Sequence, residues 1–307
     1  MLLRRGPENP SFRICAWLTA SFITGLLFLT PPGMTPGAAL ADDLANVQAT
    51  HPWGRCRPGS WKRVKVVTES LDAKGRVTNT STTDTLSFLE EITERDYALR
   101  VEVTVEVGGK KFTSQPQSIR QGYFGEAPGQ VVSRRKIRDE EISLQGRTMP
   151  VENREITIQT EKQRRVSTVH YSEKTQPHVL RSLTTITNGD GKTAMGSTQV
   201  DVVALDMPYR VLSETRNASF VRTVQMQPTG ATTVTLEVHC SDVPGGVVAH
   251  MSKEIDEAGQ TLKRSTLELL EYDHGHAEDS EITGRRVRFQ HRSRGREATP
   301  NDRSRRR

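Results

Sequence analysis

The alternation of apolar and polar positions is the strongest signal in this chain. Along Ala98–Val107, Leu99, Val101, Val103, Val105 and Val107 fall on one side, and Arg100, Glu102, Thr104 and Glu106 fall on the other. Period two with β-branched residues predicts a half-buried strand. Gly108-Gly109 then turns the chain into Lys110-Lys111-Phe112, a hairpin signal. Similar runs recur at Trp61–Glu69, Glu155–Thr160, Arg165–Tyr171, Val179–Thr187, Ser197–Leu205, Ser219–Gln225, Thr232–Cys240, Val247–Ile255 and Thr261–Tyr272. Strands of nine or ten residues are about 30 Å long at ~3.3 Å per residue. Joined by tight turns, they predict an all-β fold with one long, curved antiparallel sheet, a half-barrel or two packed sheets.

Two stretches echo each other. Pro58-Gly59 precedes a strand that reaches Asp72-Ala-Lys-Gly75, and Pro244-Gly245 precedes one that reaches Asp256-Glu-Ala-Gly259. Asp caps such a turn with its side chain, and Gly takes the positive-φ position. Helices are few. Asp42–Ala49 and Pro208–Arg216 are expected to form short ones, and Gln121–Arg147, rich in Gly, reads as the least regular part of the body.

The ends of the chain differ from this pattern. Arg4, Arg5 and Arg13 precede 17 uncharged residues, Ile14–Thr30, and a Pro/Gly stretch ends in Ala39-Leu40-Ala41. That order predicts a signal peptide over residues 1–41, cleaved between Ala41 and Asp42. An uncleaved anchor is the alternative. Arg4-Arg5 lacks the flanks of a twin-arginine signal, and Cys15 stands too early for a lipobox cysteine. Residues 42–275 then form a single β-rich domain, and 276–307 a disordered arginine-rich tail. The net charge of +6 is misleading, because ten arginines stand between Arg285 and Arg307 and leave the body acidic. Such a tail suits anionic surfaces, or it is simply a solvated end. Export removes chromosomal DNA from its reach, so no specific nucleic-acid partner is expected. No later segment is apolar enough for a multi-pass membrane protein.

Candidate chemistry is sparse. Nucleophile elbows, zincin helices, phosphate loops, dinucleotide fingerprints and paired CxxC are all missing from the sequence. No catalytic residue, cofactor or metal site is therefore assigned. His274-Gly-His276 with Glu278 and Asp279 has loose metal-ligand spacing but no rigid element to orient it. Glu90, Glu91, Asp139, Glu140 and Glu141 read as solvated edges and turns rather than paired acids. Trp53 and Trp61 read as caps on a core, with stacking on a sugar ring as the alternative. Along Thr232–Cys240 the alternation puts Val234, Leu236, Val238 and Cys240 on one face, so Cys240 should point into the core. In an oxidising compartment Cys56 and Cys240 form a candidate disulfide. Closing a loop of roughly 180 residues, it would contribute about 5 kcal/mol before strain. Two unpaired thiols are the alternative.

Two stretches, Asp242-Val-Pro-Gly-Gly-Val-Val-Ala-His-Met-Ser-Lys-Glu-Ile-Asp-Glu-Ala-Gly259 and His170-Tyr-Ser-Glu-Lys-Thr-Gln-Pro-His-Val-Leu-Arg-Ser182, carry a resemblance. The chain resembles secreted proteins of unknown function from envelope-rich, planctomycete-like bacteria. Its layout over Trp61–Tyr272 is similar to the periplasmic lipoprotein-carrier half-barrel. That resemblance implies a curved sheet around a hydrophobic cavity, and no site residue transfers from it. The expectation is an exported, periplasmic or extracellular protein that is not an enzyme, binding a lipid, a lipoprotein or an envelope protein. A structural module held to the envelope by its basic tail is one alternative; an uncharacterised hydrolase is the other.

Overall fold

The computed structural model describes residues 47–275. The cleavage site at Ala41-Asp42, the signal segment and the tail from His276 lie outside the described residues. One helical turn at residues 47–50 opens the described chain. Fourteen strands follow: β1 (Trp61–Leu71), β2 (Val77–Ile92), β3 (Asp96–Val107), β4 (Lys110–Thr113), β5 (Gln117–Gly122), β6 (Val131–Leu144) and β7 (Arg147–Gln159), then β8 (Gln163–Tyr171), β9 (Val179–Asn188), β10 (Ala194–Val211), β11 (Glu214–Met226), β12 (Thr232–His239), β13 (Val247–Ile255) and β14 (Thr261–Asp273). All belong to one antiparallel sheet, so the all-β expectation holds, as a single open sheet rather than two packed ones.

The strand order is β4-β3-β2-β1-β14-β13-β12-β11-β10-β9-β8-β7-β6, with β5 also paired to β3. Connectivity forces this sheet to roll. β5 and β6 stand on opposite flanks, twelve strand spacings apart. At about 4.8 Å per spacing a flat sheet would separate them by roughly 58 Å. The link at residues 123–130 reaches only about 30 Å fully extended. The flanks therefore face each other, and the link ties them. The Arg165 guanidinium of β8 donates to the Phe124 carbonyl at 2.5 Å, and Arg134 of β6 lies over the Phe124 ring at 5.0 Å.

The inner face is identified by what the segment before β1 touches. Trp53 packs with Leu89 and Tyr97 of β2 and β3, while Thr50 hydrogen-bonds the Tyr171 hydroxyl of β8. Register carries this face across the sheet. On β9, Ser182, Thr184 and Ile186 are half-buried on the inside, while Arg181, Leu183 and Thr185 are exposed outside. On β14, Ser265 and Leu267 are inside, and Arg264, Thr266 and Glu268 are exposed outside. Ion pairs lace the outer face, such as Arg63–Asp84 at 2.6 Å and Arg181–Asp201 at 2.9 Å. The flanking strands are blunted by charge: Lys110 and Lys111 on β4, and Arg134, Arg135, Lys136 and Arg138 on β6. Charged edges resist pairing with other chains.

The turns confirm their chemistry. Asp72 Oδ1 accepts from the Lys74 and Arg76 amides, and Gly75 holds φ +74°. Asp256 Oδ1 accepts from the Gln260 amide, and Gly259 holds φ +82°. Because β1 pairs with β14, the two echoing turns are neighbours, joined by Gln260 Nε2 donating to the Asp72 carbonyl at 3.2 Å. Two expectations are corrected. Pro208–Arg216 is not helical but forms the tip of the β10–β11 hairpin, with Leu212 at φ +54°. Its residues pair across the hairpin, and Pro208 sits opposite Asn217. Gln121–Arg147 contains β6, a 14-residue strand whose charges on both faces hide its period.

Candidate functional site: the capped end of the trough

The rolled sheet makes a trough, and residues 47–57 close one end of it. His51 fixes this cap. Its ring lies 4.9 Å from Tyr97 and 5.2 Å from Tyr123, and Nδ1 accepts from the Trp53 and Gly54 amides. Burial, then the nearby Arg55 charge, lowers its pKa to about 4, so the ring is a neutral acceptor at pH 7. Trp53 is buried and lies flat on Gly245, where an added Cβ would come within 2.6 Å of the indole nitrogen. The Gly245 amide donates to the Pro52 carbonyl at 3.3 Å.

Behind Trp53 lies a group of charged and imidazole side chains on the inner face. Lys62 reaches from β1 across β14 and donates to the Val247 carbonyl of β13 at 3.2 Å, with its ammonium 5.7 Å from the Trp53 ring. Burial lowers its pKa to about 8, partly opposed by Glu237. Glu237 on β12 stands opposite His250 on β13 and pairs with His239 Nε2 at 2.8 Å. Burial pulls on Glu237 toward the neutral acid, but His239, His250 and Lys62 together hold its pKa below the ordinary carboxylate value. His250 is only 6 % exposed, its pKa is lowered by burial, and its Nε2 has no hydrogen-bond partner. Among the described residues no group of three His, Cys, Asp or Glu side chains has a metal-holding geometry.

The expected site residues fall around this end. Cys56 and Cys240 are both free thiols. Cys56 is half-buried and its Sγ donates to the Pro52 carbonyl at 3.4 Å; Cys240 is fully buried and its amide bonds the Gly246 carbonyl. Burial raises the pKa of each. Both flank the residue 240–246 turn, on which the cap rests. Trp53 is the core cap expected of it, and Trp61 is half-buried opposite Phe88. The acidic residues remain apart: Glu90 accepts from Ser118, Glu91 pairs with Arg120, and Asp139 pairs with Lys136. Glu140, half-buried on the β6 flank, is held by Asn153, Arg138 and His170, which lower its pKa to about 2. His274 stacks edge-on against Tyr272, and His276 lies outside the described residues.

One face assignment changes. Val238 and Cys240 are buried as the alternation implies, but Leu236 faces outward beside exposed Met251. The alternate residues Thr235, Glu237 and His239 line the trough. Lys62, Glu237 and His250 carried no motif in the sequence. A shallow hollow of about 310 Å³ at the opposite end, lined by Thr229, Asp256 and Glu257, is an open gap between turns without converging polar groups.

The chain matches no family model and no curated protein. Among solved structures it is similar to a putative lipoprotein from Parabacteroides distasonis, with 9% identity over 73% of this chain and 98% of that one and a TM-score of 0.28. It is also similar to MucB in complex with MucA(peri), with 13% identity over 77% and 99% and a TM-score of 0.17. Likeness at these scores carries no argument. Among the described residues no helix is long and apolar enough to cross a membrane.

Proposed function

We propose that this is an exported, non-catalytic carrier of the cell envelope that holds a lipid or lipoprotein chain along its trough. One observation carries the reading. The inner rows are narrow side chains left half-buried: Val101, Val103 and Val105 on β3, Thr83 and Thr85 on β2, Thr184 on β9. Buried faces of folded proteins are normally filled to crystal-like density. A rolled sheet whose inner face stops short of that has room for an apolar guest. The hydroxyls do not oppose this, because some satisfy one another, as Ser167 and Thr184 do at 2.8 Å. The signal-like N-terminus supports export.

Protein purified without detergent or denaturant, then extracted with organic solvent and analysed by mass spectrometry, should release a stoichiometric lipid or acylated species. Extracts matching a buffer blank, together with failure to take up any long-chain ligand, would remove the reading.

A further inference from the structure

The outer face of the sheet has two characters. Over β14, β1 and β2 its charges are matched: Arg63 pairs with Asp84 and Glu271, Lys65 with Glu268, and Arg264 with Glu69. Over β9 to β13 apolar side chains replace the ion pairs. Cross-strand register sets Leu236 beside Met251 in one outward row, and Val224 beside Val234 in the next. Leu183 ends that second row on β9, and Met226 stands one outward step beyond Val224. Leu183, Met226 and Met251 are 52%, 54% and 56% exposed. Two exposed cations border the patch, Arg222 beside Leu236 and Lys253 beside Val234. Among the described residues neither side chain forms an ion pair or hydrogen bond. Asp201, next to Arg222, is already held by Arg181 and Gln199. The patch is therefore apolar with a surplus of positive charge.

Geometry narrows what can cover it. Each of β9 to β13 is paired on both sides, so no strand can be added there. The sheet rolls around its inner face, so this surface is convex and offers no groove for a helix. Four strand spacings by three outward positions make roughly 19 Å by 13 Å, on the order of 250 Å². A stable protein interface needs about 800 Å² from each partner, so a second copy of the chain is a poor fit. A bilayer surface requires neither a groove nor a matching outline. Unbranched, flexible methionines enter it one by one, while arginine and lysine keep their charged heads at the phosphates.

We propose that the outer face of β9–β13 docks the protein on an anionic membrane surface, with Leu183, Met226 and Met251 entering the lipid and Arg222 and Lys253 meeting the phosphates. This docking does not depend on what the trough holds.

The test is co-flotation of the full chain with phosphatidylcholine vesicles, with and without phosphatidylglycerol. Met251→Asp should weaken partitioning into the anionic vesicles at least roughly tenfold, the effect of losing one buried apolar side chain. Arg222→Gln and Lys253→Gln should each weaken it about fivefold and leave partitioning into pure phosphatidylcholine unchanged. Lys65→Gln, from the ion-paired part of the same face, should behave as the parent does. Circular dichroism identifies a Met251→Asp chain that fails to fold, and Met226→Asp then decides in its place. A parent that does not float overturns the proposal. So does flotation that survives both aspartate variants, which would assign binding to the arginine-rich tail or the N-terminal segment. A parent dimer that Met251→Asp dissociates without loss of flotation overturns it as well, and makes a second copy the occupant.

Discussion

The two ends of the trough are built on different principles. At the capped end, Leu89 is fully buried beneath Trp53, Tyr97 and Tyr123, and titratable groups are drawn out of water. At the far end of the same strand, Val77 to Thr80 are all exposed. There only turns hold the sheet, such as those at Asp72–Gly75 and Asp256–Gly259. One end therefore takes its order from side-chain packing, the other from the backbone ladder and turn geometry. On the proposed carrier reading, a guest would enter where the ladder alone holds the walls.

The largest test of this contrast is removal of the cap's anchor. Trp53→Ala should cost about 3–5 kcal/mol, the usual range for a buried aromatic. Hydrogen exchange should show lost protection in residues 51–56 and 240–246, with the turn at Asp72–Arg76 unchanged. Equal loss at both ends would show that the ends are one cooperative unit. Next comes acid. The folded-state pKa of His51 lies below its ordinary value, so the folded protein binds fewer protons than the unfolded chain between the two. Stability from this group is complete above about pH 6.5 and is lost as pH falls toward 4. The loss should be on the order of 3 kcal/mol at most. His51→Asn should flatten that part of a melting-temperature profile, and an unchanged slope would place the acid sensitivity elsewhere. The smallest effect is expected on the outer face. Arg63→Ala breaks the pair with Asp84, yet an exposed pair is worth less than about 1 kcal/mol, read as a shift in urea midpoint. A larger shift would mean that the outer ion pairs, and not the cap, stabilise the roll.

How much of this was legible in the sequence depends on where each strand lies. Strand β13 was expected at Val247–Ile255 and is found there, because apolar flanks and Gly-containing turns bracket it. Strand β6 was missed because it lies at the edge of the sheet, so half-buried Arg134 and exposed Arg135, Lys136 and Arg138 leave no apolar stripe to read. The β10–β11 tip looked helical because Pro208 is uncommon inside a sheet. The site was less visible still. Lys62, Glu237 and His250 stand on three different strands, and only the pairing of β1 with β14 brings Lys62 toward the other two. On β12 local alternation found the buried Val238 and Cys240, yet it is the other side, Thr235 and Glu237, that turns toward the trough.

That β1–β14 seam has a further consequence, for the order in which the chain is made and folded. From β6 to β14 every strand pairs with its neighbour in sequence, and so do β1 to β3. Among the strand pairings the seam alone joins residues about 200 apart, as Trp61 and Asp273 are. Contacts that distant carry the largest loop-closure cost and slow folding. The two meanders should therefore form early and the seam last. New termini placed at Pro128-Gly129, with the present ends of the described chain linked near Ser60 and His274, would turn the sheet into one meander from β6 through β14 to β4, with β5 folding back onto β3. Such a permutant should fold faster, because its longest-range pairing becomes a local one, while the cut link no longer ties the two flanks.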